Sequence, residues 1–120
     1  MKTKALMVFT VSYAGFRLRV RVLPHAKDVY IECTGAQKWR ARAELPRAFF
    51  RPPARPGGKY TGTIVIAGND DIAELIPHEV THAVLHKVGG VHRSDDESFA
   101  TSVGVLSSRI ARKISRGLAL

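Results

Sequence analysis

Two histidines four residues apart, with a glutamate beside the first, make up the segment His78-Glu79-Val80-Thr81-His82. On a helix, positions i and i+4 share one face, a turn apart. Both imidazoles can then reach one zinc ion at about 2.0–2.1 Å. Glu79 would stand beside the ion's open position, where it takes a proton from a zinc-bound water attacking a carbonyl. The plain alternative is a surface helix whose histidines are merely solvated.

A zinc ion that keeps one position for water needs a third protein ligand. The extended pattern H-E-x-x-H-x-x-G-x-x-H is broken, because Leu85 and Val88 stand where Gly and His belong. His86 follows His82 by four residues, but it lies two turns, about 12 Å of rise, from His78, too far to share one ion. Cys33 is a lone thiol in a strand-like segment, an environment that favours the core over a metal. Asp95, Asp96, Glu97 and His92 remain. Glu97 is the preferred ligand: it opens a second helix, and Ala100, Thr101 and Gly104 continue its face, small enough to let that helix approach the first. Ser94-Asp95-Asp96-Glu97 is equally a capping box, with Glu97 folding back on the Ser94 amide. In that case Asp96 or His92 would hold the metal.

The elements that must position these residues follow from periodicity. Ala5–Val11 is apolar, and Phe16–Val22 alternates apolar residues with Arg17, Arg19 and Arg21, the pattern of a half-buried strand. With Lys2 and Lys4 ahead of it, the first stretch has the outline of a signal peptide. A hairpin turning at Ala14-Gly15 accounts for both stretches together. Asp28–Cys33 reads as a third strand, with Val29, Ile31 and Cys33 on one face. Residues 36–45, around Trp39, Ala41, Ala43 and Leu45, are ambiguous. Pro46, Pro52, Pro53 and Pro56 with Gly57-Gly58 predict a long extended loop over 46–59. Thr61–Ala67 is a β-branched strand. Gly68-Asn69-Asp70 then stops the chain and caps a helix over 71–88, with acids in its first turn and Gly89-Gly90 at its end. A second helix spans 94–116, with Phe99, Val103, Leu106, Ile110 and Ile114 as its apolar stripe and Arg109, Arg112, Lys113 and Arg116 off it. The expected architecture is α+β: an N-terminal antiparallel or mixed sheet from residues 4–67 packed on two C-terminal helices, with Thr61–Ala67 at the sheet edge bordering a cleft.

The chain of 120 residues is 45% hydrophobic and 24% charged, the balance of one folded domain. No apolar run is long enough for a membrane helix, which excludes a spanning protein. The single cysteine leaves no internal disulfide and fits a reducing, cytoplasmic setting. The net charge is +9, and residues 1–60 carry thirteen Lys/Arg against three Asp/Glu, while residues 61–120 carry six against seven. Lys38, Trp39, Arg40, Arg42, Arg47, Phe49, Phe50, Arg51, Arg55 and Lys59 interleave cations with aromatics. Such a segment can neutralise phosphates and stack bases, line a cleft for acidic peptides, or simply face solvent. Lys38, Arg40, Arg42, Arg47, Arg51 and Arg55 are the candidate nucleic-acid or substrate contacts.

At His78-Glu79-x-x-His82 and Glu97 the chain resembles a gluzincin-type zinc metallopeptidase, similar in size and order to the minimal gluzincins and to small phage-encoded zincin-like proteins. Pro77–His86 and the acidic-aromatic-Ala stretch Glu97-Ser98-Phe99-Ala100 carry the resemblance, which covers roughly residues 61–116. It implies a single zincin-like domain over 1–120, a zinc ion on His78, His82 and Glu97, Glu79 as general base, and hydrolysis of a peptide bond in a peptide or protein substrate. In that fold a strand at the sheet edge pairs with extended substrate. Full-size gluzincins also supply a Tyr or His for the oxyanion, for which His92, Tyr60 and Arg93 qualify here only by character. SprT-like DNA-repair proteases share H-E-x-x-H and basic regions but take a His as third ligand; His92 stands only ten residues after His82. Two other functions use the same residues: a nucleic-acid-binding module in which zinc serves folding, and an inert phage protein on a zincin scaffold.

Overall fold

The computed structural model describes residues 4–34, 47–55, 58–87 and 97–118, with Glu97 described by its backbone alone. In chain order the elements are β1 (Met7–Tyr13), β2 (Phe16–Leu23), α1 (Ala26–Thr34), β3 (Ala48–Arg51), β4 (Gly62–Ala67), α2 (Ile72–Lys87) and α3 (Glu97–Gly117). The strands form one mixed sheet in the order β1-β2-β4-β3, so the architecture is α+β, as its alternating strands and periodic helices predict.

β1 and β2 form the expected hairpin, registered from Met7 opposite Val22 to Tyr13 opposite Phe16. Ala14 and Gly15 turn it with φ of 50° and 86°. Two positive φ values in a two-residue loop match the right-handed twist of the flanking strands. The strict alternation of β2 then separates the sheet's faces. Leu18, Val20 and Val22 are fully buried and join Ile64 and Ile66 of β4 beneath α2 and α3. Arg17, Arg19 and Arg21 project from the opposite face.

β4 pairs parallel with β2, from Leu18–Gly62 to Leu23–Ala67, and antiparallel with β3. It is therefore interior, not the edge strand expected for Thr61–Ala67, and residues 64–67 are fully buried. The edge is β3, a strand inside the stretch expected to be an extended loop. Its position reconciles it with the prolines: an edge strand tolerates them at its end, and β3 stops at Pro52.

Asp28–Cys33, expected to be a strand, is the helix α1. His25 is its N-cap: its carbonyl accepts from Asp28 and Val29, and its own amide donates to the Asp28 carboxylate at 3.1 Å. This reciprocal cap, with Pro24 ending β2, overrides the β-propensity of Val29 and Ile31. Val29 packs with Leu23, Val65 and Ala67 in a second core on the sheet face away from α2 and α3. Cys33, expected in the core, is exposed on α1.

α2 begins where the acids predict. Asp71 is its N-cap, with Leu75 N–H donating to its carbonyl and Glu74 N–H to its carboxylate. The helix buries Leu75, Ile76, Val80, Ala83 and Val84 against the sheet and α3. Its far end is pinned to the hairpin turn, where Lys87 donates to the Gly15 carbonyl and lies 4.9 Å over the Phe16 ring. α3 buries Leu106, Ile110 and Ile114, with Phe99 and Val103 packed beside them, which is the predicted stripe. The Ala100-Thr101-Gly104 face is exposed, and a Cβ at Gly104 would touch nothing within 4 Å. Small residues on that face therefore do not bring the two helices together; the stripe does. Among the described residues no helix is long and apolar enough to cross a membrane.

Candidate active site

Pro77 sits inside α2 immediately before the histidine motif. It has no N–H to give the Ala73 carbonyl, so the helical ladder is interrupted one turn before the chemistry begins. The Pro77 carbonyl is itself bonded by the Thr81 hydroxyl at 2.7 Å.

The i, i+4 spacing brings the two imidazoles together. His78 Nε2 and His82 Nε2 are 3.2 Å apart, with the rings edge to face and their centroids 4.8 Å apart. Two imidazoles held tetrahedrally at about 2.0–2.1 Å would place their nitrogens about 3.3–3.4 Å apart. The ring pair thus already has the separation one zinc ion requires. Without a metal, the same contact is a hydrogen bond in which one ring donates and the other accepts.

Glu79 lies on the inward side of the same turn. It is only 6% exposed, whereas the His78 side chain is 67% exposed. Its Oε2 is 3.9 Å from His78 Nε2. Burial raises its pKa above the ordinary carboxylate value, an effect opposed by the positive charge His78 and His82 carry when protonated. A carboxyl lifted in this way is a better proton acceptor than a solvated one.

These three side chains open into a cleft of about 820 Å³ between α2 and the edge strand β3. Ala48, Phe49, Phe50 and Pro52 form one wall; His78, Glu79, His82, Leu85 and His86 form the other. The His86 ring rests 5.6 Å from that of Phe50, centroid to centroid, at the end of the cleft. It does not join the His78–His82 pair, consistent with its place two turns from His78. Gly62 on β4 makes the β3 wall fit: a Cβ there would come within 2.4 Å of the Phe50 ring and 2.7 Å of the Arg51 carbonyl. Sequence reasoning missed the β3 wall. The adjacent aromatics Phe49-Phe50 running into Pro52-Pro53 were its only local sign.

Among the described residues no set of three His, Cys, Asp or Glu side chains could hold a metal ion. The third ligands expected from sequence are not placed: the Glu97 side chain, Asp96 and His92 lie outside the described residues, as does Arg93. Lys38, Arg40 and Arg42 also lie outside them. Arg47 is committed elsewhere, to Asp70 at 3.1 Å and Glu74 at 3.7 Å. Arg51 lies 5.1 Å over the Phe49 ring and donates to the Glu32 carbonyl. Arg55 is exposed. Tyr60, an oxyanion candidate by character, is not part of the cleft lining; Arg17 lies 5.0 Å over its ring.

The chain matches no protein-family model, no curated protein and no solved structure.

Proposed function

We propose that the protein is a gluzincin-like zinc metallopeptidase that hydrolyses a peptide bond in the cleft between α2 and β3. The observation that carries this reading is the His78–His82 pair, with nitrogens 3.2 Å apart, beside the buried carboxyl of Glu79. His78 and His82 would hold zinc through Nε2, and Glu97, at the head of α3, is the proposed third ligand. Zinc, when bound, polarises the scissile carbonyl and acidifies the attacking water.

The protein's own groups carry the protons. Glu79 accepts one from the water as its oxygen bonds to the carbonyl carbon, then returns it to the amide nitrogen as the carbon–nitrogen bond breaks. The raised pKa of Glu79 suits both transfers. β3 suits the substrate, because an edge strand leaves one row of backbone groups outside the sheet, and an extended peptide can add there as a further strand. The cleft is apolar on the β3 side, through Ala48, Phe49 and Phe50, so apolar side chains near the scissile bond are favoured.

The test is zinc content together with hydrolysis of a fluorogenic peptide library. One zinc per chain, lost in His78→Ala and His82→Ala, with cleavage abolished by chelation, is the expected result. A protein that binds no zinc, or cleaves equally well after metal removal, overturns the reading.

A further inference from the structure

The strongest charged feature lies away from the cleft, around the opposite edge of the sheet. Arg109, Arg112, Lys113 and Arg116 of α3 line a cavity of about 370 Å³ with Thr10, Val11 and Ser12 of the edge strand β1. Arg109 donates to the Ser12 carbonyl and lies 5.5 Å over the Tyr13 ring, while Lys113 lies 5.7 Å over Phe9. Arg109 and Lys113 are thus held against β1 by a backbone carbonyl and by aromatic rings rather than by carboxylates.

The charge continues over β1 onto the outer sheet face. Thr10 is registered opposite Arg19, and Ser12 opposite Arg17. Arg17 lies 5.0 Å over the Tyr60 ring and Lys59 lies 5.8 Å from it. The Thr10 hydroxyl, with Lys59, Arg17 and Arg19 nearby, holds the Tyr60 phenol below its ordinary pKa. The Arg17 Nε is buried with no hydrogen-bond partner among the described residues.

The described carboxylates have other tasks. Glu32 pairs with Arg21, Asp70 and Glu74 pair with Arg47, Asp28 and Asp71 cap helices, and Glu79 faces the cleft. A band of at least seven cations therefore wraps β1 with no described acid set against it. Arg17 and Arg19 alternate along β2 at about 6.8 Å, a spacing comparable with the phosphate repeat of an extended strand.

We propose that this band binds single-stranded nucleic acid, its phosphates passing from the α3 cavity over Thr10 and Ser12 to Arg19 and Arg17, with a base against Tyr60. A row of separated cations ending at an aromatic ring matches an alternation of phosphate and base. The site differs from the 38–59 segment that composition singles out, and it stands independently of the peptidase reading.

The experiment is fluorescence anisotropy of labelled 20-nucleotide thymidine and uridine strands against the full chain, from 50 to 300 mM KCl. Binding should weaken linearly on a log–log plot. Arg19→Ala with Arg112→Ala should flatten the slope by about 1.4, at about 0.7 per lost phosphate contact. Arg19→Lys should keep the wild-type slope. Arg47→Ala should also keep it, its charge being matched by Asp70 and Glu74, and Glu79→Gln should bind as wild type. Tighter binding of the DNA or of the RNA strand identifies the natural polymer; both support the site. Failure of both strands to bind at 50 mM KCl overturns the proposal. So does an equal slope in the Arg19/Arg112 variant and in Arg47→Ala, or tighter binding to phosphatidylserine vesicles than to either strand.

Discussion

Replacing Glu79 by Gln keeps the shape of the side chain and removes its charge. The structure gives the change two effects of opposite sign. Catalysis should fall, because an amide cannot accept the water's proton; loss of a general base costs about 10²–10⁴-fold in kcat/KM. Stability of the metal-free protein should rise. Glu79 is 6% exposed, and burial raises its pKa, so the folded state disfavours the carboxylate. A carboxyl whose folded pKa is raised helps the fold while it is protonated, and that help is lost as pH climbs through the raised value. The loss begins as pH rises above the ordinary value of 4.5. The substituted amide does not titrate and has no such loss, so the metal-free variant should be more stable than wild type at pH 7 and no more stable at pH 4. Urea melts in a chelator across that range, with peptide cleavage and zinc content measured on the same preparations, read all three quantities. A variant that cleaves at the wild-type rate removes Glu79 from the chemistry. A variant less stable than wild type at pH 7, metal-free, refutes the account of its burial.

Other changes test the site's supports. Glu97→Gln should weaken zinc binding at least tenfold while Ser94→Ala leaves it intact, and isothermal titration with zinc would show the reverse if Glu97 only caps α3. Gly62→Ala drives a Cβ into the Phe50 ring and the Arg51 carbonyl, so it should cost about 1–3 kcal/mol in a thermal melt and raise KM by shifting the β3 wall. Ala14→Asn should stabilise the hairpin by about 0.5–1 kcal/mol in a urea melt, because Asn tolerates the left-handed φ of 50° better than Ala.

Legibility followed the strength of local periodicity. Arg17, Arg19 and Arg21 alternate with residues that need a dry face, so β2 and its burial were readable, and so was the turn at Ala14-Gly15. The α3 stripe from Phe99 to Ile114 and the Asp71 cap of α2 were readable for the same reason. The i, i+4 pairing of His78 and His82 required only that their segment be helical. α1 is hidden in the sequence because Val29, Ile31 and Cys33 alternate like a strand, while the deciding interaction is a single reciprocal cap between His25 and Asp28. The exposure of Ala100, Thr101 and Gly104 was hidden too, because residue size does not tell which face of a helix meets its neighbour.

The interior place of β4 has a topological cause that lies outside its own sequence. β2 and β4 are parallel, and parallel neighbours need a crossover of about a dozen residues or more. The chain between Leu23 and Gly62 supplies it, and on the way it lays α1 over the outer face and β3 along the free side of β4. Thr61–Ala67 carries one sign of its interior place, the unbroken apolar run Ile64-Val65-Ile66-Ala67, but nothing in it tells which strand will cover its edge. With β3 along its free side, α1 over one face and α2 and α3 over the other, β4 can be apolar on both faces, which explains the unbroken Ile64-Val65-Ile66-Ala67 run better than an edge position does. The same insertion gives the histidine face of α2 a wall of Ala48, Phe49 and Phe50 and an outward row of backbone groups beyond the sheet. A crossover required by strand direction thus places a sheet edge beside His78, Glu79 and His82.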